Sequence, residues 1–274
     1  KYGKRSCYKK LWVKSLFGKM GSCLQRRLGG MKKDVTICIG TVGYPTFDKC
    51  YKICNNIYKS DDRVKDLVVI KNHYPTSAWL NKMRESCKTT WCLQVDEDMY
   101  ISKNAIDELL DLARKTEGSG KSVLNASGLL FDIFLETNIG SLKLWNTKVF
   151  GLAEFKDVQG SDRRFARDAT KLGFSNVETK SVLGRHDSAP SPDIAYFKYR
   201  EYVAKIKHFQ SAEAARKFVS MFKKRHRKKG IIGIFAYEGA VSGLSRPCNN
   251  KTKNYFLNKN SEDLRKIRKK YGMA

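Results

Sequence analysis

Three short apolar runs mark the first hundred residues, each separated from the next by a stretch with helical spacing. They are Asp34-Val35-Thr36-Ile37-Cys38-Ile39-Gly40, Leu67-Val68-Val69-Ile70-Lys71-Asn72 and Trp91-Cys92-Leu93-Gln94-Val95. Continuous apolar runs of this length read as strands covered on both faces. Phe47, Cys50, Tyr51, Cys54 and Ile57 recur at three- and four-residue steps between the first two. Residues 79–86 read as a helix before the third. Residues 102–114 read as a helix after it, with Ser102 as cap and Ile106, Leu109, Leu110 and Ala113 on one face. Strands alternating with helices predict an α/β sheet with crossover connections. In such sheets ligands gather beyond the carboxyl ends of the strands. The third strand runs directly into Asp96-Glu97-Asp98, which puts a candidate site at that edge.

Further strand-like runs lie at 128–135 and 142–150, a loop and helix at 160–173, and a strand at 177–187 ending in Gly184-Arg185-His186-Asp187. From about residue 195 the chain reads as helical and very basic, densest at Lys223-Lys224-Arg225-His226-Arg227-Lys228-Lys229. A short apolar stretch at 231–237 and a basic tail follow. At the other end, Tyr8, Leu11, Trp12, Leu16, Met20 and Leu24 alternate with Lys and Arg. A basic amphipathic helix of this kind either lies on an anionic membrane or packs its apolar stripe on the main domain. Gly29-Gly30 reads as a linker. The divisions expected are a basic extension at 1–30, a catalytic α/β domain at 31–195 and a basic C-terminal region at 196–274.

Lys and Arg number 54 against 27 Asp and Glu in 274 residues, a formal charge of +27. Such an excess points to an anionic partner (nucleic acid, an anionic membrane surface or a phosphorylated substrate) or to a solvated basic surface. The eight cysteines form no C-x-x-C pair and have no His at zinc-ligand spacing. Cys38 and Cys92 fall inside strand patterns and read as buried reduced thiols, which suggests a reducing compartment. No apolar run reaches the length of a transmembrane helix. The expected location is cytoplasmic or peripheral to a membrane.

Carboxylates after a buried strand suit a hard divalent cation such as Mn²⁺ or Mg²⁺, which prefers carboxylate oxygens and often shares them with substrate phosphates. Alternatively the acidic tripeptide is a solvated loop. The order of elements over about 34–190 resembles the metal-dependent GT-A glycosyltransferases. Residues 35–44 are similar to the strand and turn that hold the donor nucleoside, which implicates Thr41, Gly43 and Tyr44. Leu80-Asn81-Lys82 resembles the segment that packs under the donor, which implicates Asn81. Residues 91–99 are similar to the DxD segment, and Gly160-Ser161-Asp162-Arg163-Arg164-Phe165 followed by Gly173-Phe174 to the acceptor-side segment. The resemblance implies Asp98 and the late His186 as metal ligands. It implies that Asp96 meets the metal through water or touches the donor, and that Asp162 is the general base; Glu97 is open to a share of the metal role. It further implies a nucleotide-sugar donor, UDP by family habit, and an inverting transfer. Arg163, Arg164 and Arg185 suit a diphosphate or a charged acceptor, or are surface charges. Trp145 stacks on a sugar or packs in the core.

Two rivals remain. A nucleotidyltransferase of related shape would carry a Gly-rich stretch with a following Arg and Lys after the first strand; Gly40-Thr41-Val42-Gly43-Tyr44-Pro45 lacks that basic pair. A non-catalytic nucleic-acid-binding protein is favoured by the charge, but no named binding module is present. A glycosyltransferase acting on modified nucleic acid would combine both halves.

Overall fold

The computed structural model describes residues 33–248 and 262–273. The amphipathic helix expected over 1–30 lies outside the described residues. Seven strands form one sheet in the order β2-β1-β3-β6-β5-β7-β4. They are β1 (Val35–Thr41), β2 (Val64–Lys71), β3 (Trp91–Asp96), β4 (Met99–Ile101), β5 (Ser122–Asp132), β6 (Thr137–Asn146) and β7 (Phe174–His186). The helices are α1 (Phe47–Ser60), α2 (Thr76–Ser86), α3 (Ala105–Gly118), α4 (Ser161–Thr170), α5 (Pro192–Phe209), α6 (Ala212–His226), α7 (Gly230–Ser245) and α8 (Glu262–Lys270). β1 pairs in parallel with β2 and β3, and β5 in parallel with β7. β6 is antiparallel to β3 and β5, and β4 to β7. Hence β1, β2, β3, β5 and β7 share one direction, and β4 and β6 oppose it. This is the α/β mixed sheet, Rossmann-like with mostly co-directional strands, that the sequence pattern predicts.

The apolar runs are continuous because both faces of the sheet are covered. Val35, Ile37 and Ile39 of β1 pack with Cys50, Cys54 and Ile57 of α1 and with Ile106, Leu109 and Leu110 of α3. Cys38, one residue out of phase, joins the opposite layer with Leu80 and Met83 of α2, Trp145, Phe155 and Phe165. The two-residue period of a strand sorts neighbours to opposite faces, and here each face meets an apolar helix stripe.

Several local expectations are corrected. The strand placed at 128–135 runs from Ser122 to Asp132, and the one placed at 142–150 ends at Asn146. There the Asn146 side chain accepts from the Lys148 N–H and opens a 3₁₀ turn, Thr147–Gly151. Ser102 does not cap α3; its hydroxyl donates to Asn104 and to the Leu183 carbonyl, and the helix begins after Asn104. Cys92 is not a free thiol. Its sulfur is bonded to Cys87, which the turn between α2 and β3 brings alongside, while Cys38 stays a free buried thiol. Burial pushes the Cys38 thiol up to about 12. The stretch at 231–237 is part of α7, not a separate element.

α7 crosses α5 at close range. A Cβ on Gly239 would lie 2.1 Å from the Tyr196 carbonyl oxygen, and one on Gly243 2.4 Å from that of Arg200. These glycines, about one helical turn apart, let the two backbones touch. Because the obstruction is backbone, it cannot swing aside. Gly239→Ala is expected to lower unfolding stability by about 1–3 kcal/mol, as overpacking does, measured by chemical denaturation of the full chain.

Candidate functional site

The carboxyl ends of β3, β5 and β7 deliver the acidic and imidazole groups to one edge. Asp132 ends β5 and His186 ends β7, and the parallel register sets them side by side. β4 returns antiparallel on β7, with Met99 opposite His186. The Asp187 N–H donates to the Asp98 carbonyl at 2.8 Å. These backbone constraints bring Asp98, more than eighty residues away in sequence, against His186.

Asp132, His186 and Asp98 form a chain. Asp132 Oδ2 lies 2.8 Å from His186 Nδ1, and Asp98 Oδ2 lies 3.3 Å from His186 Nε2. Asp132 is 1% exposed and both other residues 8%, so little water shields the network. Its remaining oxygen accepts from the Ser188 hydroxyl and the Leu135 N–H. Ser188 continues to the Tyr199 hydroxyl on α5. Burial drives the Asp98 carboxyl up, but the charges of His186 and Lys198 outweigh it and hold the group well below the usual carboxylate range. Burial likewise opposes charge on His186, yet Asp98 and the bond to Asp132 raise its pKa. Burial raises Asp132 less than the His186, Leu135 and Ser188 bonds lower it.

The middle residue of the acidic motif faces the other way. Glu97 is 5% exposed and its carboxylate accepts from the Thr41 hydroxyl and from the N–H groups of Val42 and Tyr44, the latter two at 2.9 and 2.8 Å. Its own N–H donates to the Gly40 carbonyl. The share of a metal site left open for Glu97 is therefore corrected: it is the anchor of the 41–44 turn. Thr41 is buried in that clasp, and Gly43, at φ +87°, donates to the Thr41 hydroxyl. Tyr44 contributes its backbone N–H to the same carboxylate. The turn is thus held at the carboxyl end of β1, beside Asp96, through the Gly40–Asp96 register.

Asn81 clamps the 152–159 segment, donating to the Phe155 carbonyl and accepting from the Phe155 N–H. Asp162 sits in the first turn of α4 and pairs with Lys143 of β6. Lys143 lies opposite Gln94, two residues before Asp96. Arg164 pairs with Asp168 along α4, and Arg163 and Arg185 are exposed. Trp145 is a core residue: it is fully buried, donates to Gln94 and meets Phe155 and Phe165 edge-on.

Asp98 and His186 are therefore together, and Asp96, half-buried, lies two residues from Asp98. The three do not close to within 4.8 Å of one another; among the described residues Cys38, Cys87 and Cys92 do, but two of these sulfurs are bonded to each other. Sequence reasoning missed Asp132 and Lys198. Asp132 lies inside the run expected at 128–135 and ends a strand only in the structure; its one available signal was that it is the sole acid in that apolar stretch. Lys198 is 3.4 Å from Asp98 Oδ2; in a chain this rich in Lys, nothing in the sequence distinguishes it.

No family model matches this chain, and no curated protein matches it. Solved structures with similar chain traces include the mannosyltransferase PcManGT from Pyrobaculum calidifontis, in complex with GDP-Man and Mn²⁺. That similarity has 12% identity, covers 88% of this chain and 80% of that one, and has a TM-score of 0.46. Glucosyl-3-phosphoglycerate synthase from Mycobacterium tuberculosis, with Mn²⁺, UDP and glucosyl-3-phosphoglycerate, is similar at 8% identity over 64% of this chain and 79% of that one, TM-score 0.46. The bifunctional IspDF from Campylobacter jejuni is similar at 12% identity and a TM-score of 0.36; the match covers 54% of this chain and only 50% of that one.

The Glu97 clasp yields a direct expectation. Glu97→Ala strands two N–H groups and a buried hydroxyl, so unfolding stability should fall by roughly 1–3 kcal/mol. Denaturant titration checks this.

Proposed function

We propose that this chain is a glycosyltransferase that moves a sugar from a nucleotide-sugar donor, with UDP as the nucleotide, to an acceptor hydroxyl, with a divalent cation and with inversion at the anomeric carbon. The Asp132–His186–Asp98 chain at the carboxyl edge of the sheet carries the reading. Its donor chemistry fits Mn²⁺ or Mg²⁺. Two ligands each about 2.1 Å from one ion sit about 3 Å apart, and His186 Nε2 and Asp98 Oδ2 are 3.3 Å apart. Asp132 occupies the other ring nitrogen, the arrangement that directs a ligating imidazole. Asp98 and His186 would hold the cation, and Asp96 would meet it through water or touch the donor. When bound, the cation supplies Lewis-acid neutralisation of the diphosphate.

The remaining roles belong to the chain itself. The 41–44 turn, fixed by Glu97, is the proposed nucleoside seat, and Asn81 supports the segment beneath the donor. Asp162 takes the acceptor proton as the acceptor oxygen bonds to the anomeric carbon. The bond from that carbon to the diphosphate oxygen breaks, and its electron pair leaves with the nucleoside diphosphate. The charge of +27 supports a polyanionic acceptor or an anionic surface nearby. Among the described residues no helix is long and apolar enough to cross a membrane.

The decisive experiment is release of nucleoside diphosphate from a panel of nucleotide sugars, with Mn²⁺ and with chelator. Turnover of one donor that is lost with chelator and in Asp98→Ala is the expected result. No turnover and no metal-dependent donor binding, with salt-sensitive binding to any duplex, would replace this reading by nucleic-acid binding. Retention in the product anomer would remove the role of Asp162. Asp132→Asn should weaken Mn²⁺ binding about 10–100-fold while the fold persists, read by calorimetric titration.

A further inference from the structure

Lys198 stands beside the candidate metal site and takes no part in the roles above. It projects from α5, outside the strand-and-loop segments that build the rest of the site. Its Nζ lies 3.4 Å from Asp98 Oδ2, the same oxygen that faces His186 Nε2 at 3.3 Å. An ammonium and an imidazole thus converge on one carboxylate oxygen. A divalent ion joining Asp98 there would meet the ammonium at short range, and like charges at such range in a buried site repel strongly. The two cations compete for one oxygen.

Lys198 has another place to go. Its side chain is 22% exposed, and a lysine head on its four-carbon stem is a mobile point charge suited to phosphate. The donor's diphosphate would bring the negative charge that draws it off Asp98. We propose that Lys198 is a counter-cation that guards Asp98 until a nucleotide diphosphate arrives, then transfers to that diphosphate, so that metal and nucleotide binding reinforce each other through one side chain. The inference rests on the metal-dependent reading above. Coupling of this kind is reciprocal: whatever factor the nucleotide adds to metal affinity, the metal adds to nucleotide affinity.

The test is Mn²⁺ binding to the full chain without nucleotide, followed by electron paramagnetic resonance of the free ion. Wild type, Lys198→Met, Lys198→Arg and Asp98→Asn are compared, and thermal melting verifies that each is folded. Lys198→Gln serves in place of Lys198→Met if the latter does not fold. Removal of the ammonium should tighten Mn²⁺ by about tenfold or more, since a repelling charge within a few ångströms is lost. Lys198→Arg keeps the charge and should not tighten it, and Asp98→Asn should abolish binding. With Mn²⁺ saturating, UDP and GDP should bind Lys198→Met about tenfold more weakly than wild type, as expected for loss of a charge-assisted contact. Equal Mn²⁺ affinity in wild type and Lys198→Met overturns the inference and leaves the metal site standing. Absence of Mn²⁺ binding in all variants removes the metal reading itself, and this inference with it.

Discussion

The Asp187 N–H to Asp98 carbonyl bond, 2.8 Å long, closes the edge on which the candidate site depends. It continues the short β4–β7 pairing past Met99 and His186. Without that pairing the acidic segment after β3 would be an ordinary solvated turn. With it, the carboxylate of Asp98 is presented to an imidazole that Asp132 has already oriented. The pairing needs close approach: a Cβ on Gly184 would fall 2.4 Å from the Tyr100 carbonyl oxygen. A backbone this close leaves no room for a side chain at that position. His186, two residues on, inherits its place from that contact.

The acidic motif divides its labour by the alternation of backbone direction. Glu97 turns into the protein and gathers the 41–44 turn, while Asp98 turns toward β7. The three carboxylates therefore do not simply repel one another. Glu97 is met by backbone and hydroxyl donors, and Asp98 by His186 and Lys198. Buried carboxylates persist only with such partners. The distribution explains how Glu97 and Asp98 are tolerated at the end of a buried strand.

The C-terminal helices contribute to the site as well as to the fold. α5 supplies Lys198 to Asp98 and Tyr199 to Ser188, which in turn holds Asp132. α7 braces α5 through the Gly239 and Gly243 crossing. A region that reads in sequence as a basic appendage is joined to the Asp132–His186–Asp98 network by at least two side chains.

The sequence by itself determined the alternation of strands and helices, the covered faces of the sheet and the placement of an acidic motif at a strand's carboxyl end. These follow from local periodicity, which a chain must satisfy residue by residue. Asp98 and His186 were singled out together only through the resemblance of the chain's motifs to a known family; local periodicity placed the acidic motif but did not mark His186. Tertiary structure alone decided that Glu97 gathers the 41–44 turn while Asp98 faces the imidazole, because neighbouring residues at a strand end point in opposite directions. It alone revealed Asp132 and Lys198, because their significance lies in partners some fifty and one hundred residues distant. It alone joined Cys87 to Cys92, since the turn between α2 and β3 sets that approach and no spacing motif announces it. Periodicity is a local property of the chain, whereas charge pairing is set by strand order and register, and in this sheet those bring distant segments to a single edge.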